Sequence, residues 1–173
     1  VFGTMENGMR YMILPNSEPP NRLSLRLHIA AGSLMEQEDQ RGVAHFLEHM
    51  LFLGTKSYPD GSEYQKYISQ HGGSNNAWTA TEHTCFFFDV YHDHFDKALD
   101  RFSQFFISPL LSQEFIEKER ENIDAEFKMK LKDDIRRLYD VHKETINPAH
   151  PFSKFSVGNL GTLADRNDAS IAE

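Results

Sequence analysis

Two kinds of hydrophobic periodicity alternate along this chain, and together they predict an α+β fold. Residues 23–29 place an apolar side chain at every second position, which is the pattern of a β-strand that is buried on one face. A further strand is predicted at 10–14, and the segments 75–81 and 83–91 are predicted to pair with each other. The remaining apolar residues recur with the spacing of a helix rather than a strand.

Five segments have this helical spacing. The predicted helices are 41–53, 63–71, 93–107, 112–132 and 134–146. Gly54 and the Gly72-Gly73 pair are expected to end the first two, because glycine closes a helix in the left-handed conformation at little cost. Asp93 is expected to cap the third helix by accepting hydrogen bonds from its first free amides.

Composition excludes several classes of function. The formal net charge of −8 argues against nucleic acid as a partner. No apolar run approaches the roughly 20 residues that a transmembrane helix needs, so no membrane span is predicted. Cys85 is the only cysteine, which rules out a disulfide within the sequence, and its apolar neighbours place it in the core rather than at a reactive surface.

The predicted helix 41–53 carries the spacing of a hydrolytic metal site. His45, Glu48 and His49 follow the inverted order H-x-x-E-H, and at about 100° per residue they share one helix face. Two imidazoles on that face can bind a metal ion, while the carboxylate beside them can handle a water molecule. On this motif alone, a surface helix with two histidines and an acid is the alternative.

A catalytic zinc ion usually takes three protein ligands and leaves one position open, so a third ligand is required. The acidic helix at 112–132 offers candidates. Glu119 and Glu126 are seven residues apart and border the same edge of its apolar stripe, whereas Asp124 borders the other edge. The helical angle does not choose between Glu119 and Glu126.

Three stretches of the sequence resemble the pitrilysin and insulin-degrading-enzyme (insulysin) family of inverted-motif zinc metallopeptidases. They are 42–55 with the following Tyr58-Pro59, 71–77, and 147–160. The resemblance implies a mixed, largely antiparallel β-sheet with helices packed on one face. It also implies one Zn²⁺ in the catalytic domain, held by His45, His49 and Glu126, with Glu119 as a further functional acid.

The activity implied by this resemblance is that of a zinc metalloendopeptidase acting on short, extended or unfolded peptides. A zinc-bound water would be the nucleophile and Glu48 the general base. Glu119 would orient a metal ligand or stabilise the site without binding the metal. The alternative is a catalytically inactive peptide-binding relative or partner subunit, which could lose Glu48 without losing the fold. A structural zinc domain would need a closed site of four ligands, usually rich in cysteine.

The segment 73–79 is predicted to receive the peptide substrate. Two glycines that lead into a polar run favour an exposed edge strand over a central one, and an extended peptide can add to such an edge as a further strand. The resemblance implies this role next to the zinc. The expected substrate contacts are Asn75, Asn76, Ala77 and Trp78. An ordinary hairpin is the alternative.

The resembled enzymes are several-fold longer and enclose the peptide between two halves. Residues 1–173 are therefore expected to be a single, truncated N-terminal zinc-binding catalytic domain, whose partners are peptide substrates and the remaining domains of the same polypeptide. Alone, the chain is expected to be a poor peptidase, and a further helix is expected to begin near Ser170. The resemblance implies a periplasmic location for a bacterial source, with the cytoplasm as the alternative.

Overall fold

The computed structural model describes residues 1–164, and within them it confirms the α+β fold. The expected helix near Ser170 lies outside the described residues. The strands are β1 (Phe2–Thr4), β2 (Arg10–Met12), β3 (Arg22–Ile29), β4 (Ser74–Thr79) and β5 (Thr84–Tyr91). The α-helices are α1 (Val43–Leu51), α2 (Glu63–Gln70), α3 (Phe95–Ile107), α4 (Gln113–Lys130) and α5 (Asp134–Thr145). No helix among residues 1–164 has the length and apolarity needed to cross a membrane.

The larger sheet has three antiparallel strands in the order β3-β5-β4. Strand β5 lies in the centre, because most of its residues on both faces are apolar. Cys85 near its start is fully buried, as predicted. Strand β4 pairs with β5 alone within the described sheet, so its other edge has no strand partner there. The expected edge position of this segment is thus confirmed for residues 1–164.

Two buried clusters hold the helices in place. The first joins α2 and α3 to one face of the sheet through aromatic side chains, which contribute large buried areas. Its largest members are Tyr64, Phe86, Phe88, Phe102 and Phe105. The second cluster lies between α1 and α4 and consists of Phe46, Met50, Ile116, Ile123 and Leu163. Because this second cluster fixes α1 against α4, it brings the histidine motif next to the acidic helix.

Two local predictions differ from the structure. The strand expected at 10–14 is shorter, Arg10–Met12, and pairs with the unpredicted strand Phe2–Thr4 in a separate two-stranded sheet. Asp93 does not cap α3, because a short 3₁₀ turn occupies 92–94 and α3 begins at Phe95 without a side-chain cap. Neither difference touches the histidine motif.

Candidate metal centre

Helix α1 presents its histidines from a backbone that is fixed at its N-terminus. The helix begins after Gly42, whose φ of 93° lies in the left-handed region. The carboxylate of Glu36 accepts hydrogen bonds of 2.9 Å from the Gly42 and Ala44 amides, two groups that the helix itself leaves unpaired. On the apolar side Phe46 is buried, whereas the neighbouring Leu47 is 44% exposed.

Three potential metal ligands meet at the free face of α1. The Nε2 atoms of His45 and His49 are 3.2 Å apart, and Oε2 of Glu126 lies 3.8 and 3.6 Å from them respectively. A tetrahedral zinc with bonds of about 2.0–2.1 Å places its ligand atoms roughly 3.4 Å from one another. The spacing therefore fits a zinc ion, and this is the one group of its kind among the described residues.

The hydrogen bonds of the two imidazoles direct their Nε2 atoms toward each other and toward Glu126. His45 Nδ1 lies 2.7 Å from the carbonyl oxygen of Val157, and His49 Nδ1 lies 2.7 Å from Oε1 of Glu119. A carbonyl and a carboxylate accept but do not donate, so both Nδ1 atoms carry hydrogen. In the neutral form of each ring Nε2 carries the lone pair, so two lone pairs and a carboxylate oxygen are then available to one cation.

The two histidines differ in basicity. Burial lowers the pKa of His45, and the hydrogen bond to the Val157 carbonyl opposes this only in part. Burial alone would lower the pKa of His49 as well, but the hydrogen bond and charge of Glu119 outweigh it and raise that pKa. The lowered pKa favours the neutral form of His45, which is the form of imidazole that binds metal ions.

Glu48 stands beside the three ligand atoms without joining them. Its side chain is largely buried, with the residue 8% exposed, and it accepts a 2.5 Å hydrogen bond from the Thr79 hydroxyl of β4. Burial raises the pKa of Glu48 above the ordinary range of a glutamate. A carboxylate with a raised pKa is a better proton acceptor, as a general base requires.

The structure distinguishes the two acids of α4 that the helical angle left equivalent. Glu126 faces the Nε2 atoms with one oxygen, while its Oε1 lies 2.5 Å from Nζ of Lys130. Glu119 instead contacts the outer nitrogen of His49 and accepts a 2.9 Å hydrogen bond from the Asn122 amide. For both acids burial would raise the pKa, but these partners outweigh it and keep the carboxylates ionised.

A cleft of about 260 Å³ runs between α1, α4 and the free edge of β4. Its lining includes Glu48, His49, Asn75, Asn76 and Glu119. Just before β5 begins, the Ala80 amide donates to the carbonyl of His83, so Ala80 and His83 are a hydrogen-bonded pair. In an antiparallel ladder every second residue of a strand forms such a pair with the neighbouring strand. The main-chain groups of Asn75, Ala77 and Thr79 therefore point away from β5 and toward the cleft side.

The four residues expected to contact substrate are thus differently placed. Asn75 and Ala77 offer main-chain groups at the free edge. The main-chain groups of Asn76 point toward β5, and its side-chain Oδ1 accepts a 2.9 Å hydrogen bond from the Ala77 amide. Trp78 lies on the other face of the sheet, 38% exposed, with Nε1 3.2 Å from Nε2 of His83.

Sequence reasoning missed three groups at this site. Thr79 could have been found, because its position in β4 puts it on the same face as Asn75 and Ala77. Lys130 follows Glu126 by four residues, which is the spacing of an ion pair on a helix. The carbonyl of Val157 has no signal in the sequence, since any residue carries one.

Comparisons with known proteins agree with this arrangement. The family model described as insulinase (peptidase family M16) matches residues 11–149. Insulin-degrading enzyme of Homo sapiens is 44% identical over 163 residues, which cover 94% of this chain and 16% of that protein. The A-factor-processing enzyme of Saccharomyces cerevisiae is 39% identical, covering 97% of this chain and 17% of that protein. The chain therefore spans about a sixth of the length of these relatives.

Solved structures are similar over nearly the whole chain. The crystal structure of pitrilysin matches with a TM-score of 0.87 and 40% identity over 97% of this chain and 18% of that one. A protease from Helicobacter pylori matches with a TM-score of 0.86 and 25% identity over 94% of this chain. Zinc is the metal that the family implies, and the His/His/Glu group provides a candidate place for it. The chain belongs to the insulinase family of zinc metallopeptidases, peptidase family M16.

Proposed function

We propose that this chain supplies the catalytic zinc site of a metalloendopeptidase that cleaves short, extended or unfolded peptides. The observation that carries the proposal is the convergence of three ligand atoms, 3.2–3.8 Å from one another, beside the buried carboxylate of Glu48. A structural zinc site would be closed by a fourth protein ligand, and the described residues place three together.

In the proposed mechanism His45, His49 and Glu126 hold one Zn²⁺. When bound, the metal polarises the scissile carbonyl and makes a water molecule more acidic. Glu48 accepts the proton of the attacking water at its carboxylate and then delivers it to the leaving amine. Thr79 keeps that carboxylate in place through its hydroxyl, so proton transfer needs little reorganisation.

The peptide is proposed to bind along the free edge of β4. The outward main-chain groups of Asn75 and Ala77 offer the hydrogen bonds of an added strand, while Asn75 and Asn76 line the adjoining cleft. Backbone recognition of this kind selects extended peptides over folded proteins, because a folded chain has already paired its own amides. Trp78 faces the other side of the sheet and is a substrate contact only for a peptide that wraps over the edge.

Ala77→Pro is expected to weaken peptide hydrolysis while leaving the metal bound. Proline removes the outward amide, which donates to Asn76 Oδ1 in this structure, and adds a ring at the edge. It breaks no bond to β5, because that amide points away from the sheet. Loss of one hydrogen bond of about 0.5–1.5 kcal/mol predicts a fall in kcat/KM of about 2- to 13-fold. Ala77→Ser keeps the amide and is the matched control; equal kcat/KM for both variants would contradict edge binding.

The alternative function is a catalytically inactive peptide-binding relative or partner subunit with the same fold. The presence of Glu48 beside a complete ligand set favours the enzyme. Because the chain spans about a sixth of its relatives, we propose that it hydrolyses peptides far more slowly alone than within the whole protein and the remaining domains of its polypeptide.

Elemental analysis and an assay of the whole protein test the proposed function. We expect about one zinc per catalytic domain and hydrolysis of an unstructured peptide that a chelator abolishes and added zinc restores. Zinc without hydrolysis would favour the peptide-binding alternative. Hydrolysis that survives complete removal of the metal would contradict the proposal.

A further inference from the structure

The segment 154–160 contacts the motif helix although it contributes no metal ligand. Its Gly158 and the Gly42 that precedes α1 both have positive φ, 92° and 93°. A Cβ on Gly42 would lie 2.3 Å from the Cα of Gly158, so only glycine permits this approach of the two backbones. The approach brings the Val157 carbonyl within 2.7 Å of His45 Nδ1.

A buried lysine holds this segment from the other side. Lys143 of α5 is 6% exposed, and its Nζ donates to the carbonyl of Lys154 at 2.9 Å and to Oγ of Ser156 at 3.0 Å. An ammonium group is buried only where hydrogen bonds and opposite charge compensate for lost water. Here both acceptors belong to the segment 154–160, which also contains Val157, the residue whose carbonyl contacts His45.

The same ammonium also faces the cap of α1. The carboxylate of Glu36, which accepts from the Gly42 and Ala44 amides, interacts electrostatically with Lys143. Lys143 therefore interacts with two groups that orient His45. One is the carboxylate that fixes the start of its helix, and the other is the segment whose carbonyl fixes its ring.

We propose that Lys143 is a positioning residue for the zinc ligand His45. This inference rests on the proposed function, because it assigns Lys143 to the same metal site. By holding 154–157 in place, Lys143 keeps the Val157 carbonyl on Nδ1, so that His45 keeps its hydrogen there and presents the Nε2 lone pair to the metal. His49 receives the equivalent support from the carboxylate of Glu119 instead.

The test uses the whole protein with Lys143→Met, which keeps an unbranched side chain and removes the charge and all three donors. Lys132→Met removes an exposed lysine two residues beyond α4 and is the matched control. Zinc affinity is measured by competition with a chelator, the ligand field by the visible spectrum of the Co²⁺-substituted protein, and the fold by thermal unfolding of the metal-free form.

Contacts that orient a metal-bound histidine typically change metal affinity 10- to 100-fold. Since Lys143 acts through Val157, we expect about a 10-fold weaker zinc affinity and an altered Co²⁺ spectrum, with Lys132→Met unchanged in both. Ser156→Ala removes one acceptor and keeps the charge, so it is expected to weaken zinc binding less. If Lys143→Met does not fold, Ser156→Ala tests the positioning role instead.

The possible outcomes separate this inference from the proposed function. Unchanged zinc affinity and Co²⁺ spectrum in Lys143→Met, or in Ser156→Ala where the first variant does not fold, would overturn the positioning role while leaving the zinc site intact. A lower melting temperature of the metal-free protein with normal zinc affinity would likewise show a role in folding alone. Failure of the unmodified protein to bind zinc would overturn the proposed function and this inference together.

Discussion

Glu48→Gln is expected to abolish peptide hydrolysis while zinc stays bound. Glutamine has the shape of glutamate and its carbonyl oxygen can still accept the hydrogen bond from Thr79, but it cannot take a proton from water. General base catalysis contributes typically 10²–10⁴-fold, so we expect kcat to fall by about 10³. Peptide hydrolysis and zinc content of the whole protein, measured in parallel, check this prediction.

The control for Glu48→Gln is the same chemical change at a carboxylate that faces solvent. Glu114 lies on the exposed side of α4, and Glu114→Gln is expected to leave turnover and zinc unchanged. Retained turnover in Glu48→Gln would show that Glu48 is not the general base. Loss of zinc would instead show that Glu48 supports the metal site, although it lies outside the group of three ligand atoms.

Local spacing accounts for the part of the site that the sequence could predict. His45, Glu48 and His49 are neighbours on one helix, so the helical period alone puts them on one face. Strand β3 was predictable for the same reason, because the alternation of apolar and polar residues indicates which side chains are buried. In each case the relevant geometry is contained within a few consecutive residues.

Contacts between distant segments account for the rest. Helical angle could not separate Glu119 from Glu126, because the difference arises from how α4 packs on α1 through Ile116 and Ile123. The Val157 carbonyl contacts His45 across 112 residues of sequence, and a backbone carbonyl cannot be recognised from the type of residue that carries it. The resemblance supplied the choice of Glu126, and the geometry gives its physical reason, namely an oxygen that faces both Nε2 atoms.

The pair of variants Glu126→Gln and Glu119→Gln is expected to separate the metal ligand from the acid that supports it. A neutral amide is a much poorer zinc ligand than a carboxylate, so Glu126→Gln should weaken zinc affinity by more than the 10- to 100-fold typical of outer contacts. It also removes the negative charge that offsets the Lys130 ammonium, 2.5 Å from Oε1, next to the metal site. Both effects lower the affinity for zinc.

Glu119→Gln should cost less zinc affinity, within about 10- to 100-fold, because the amide oxygen still accepts from His49 Nδ1. What it removes is the negative charge, and with it the influence that raises the pKa of His49. The two variants make the same chemical change on one helix, seven residues apart, so each is the control for the other. Chelator competition on the whole protein measures both affinities. If Glu119→Gln strips the zinc and Glu126→Gln retains it, the roles of the two acids are the reverse of those proposed, and the ligand set must be redrawn around Glu119.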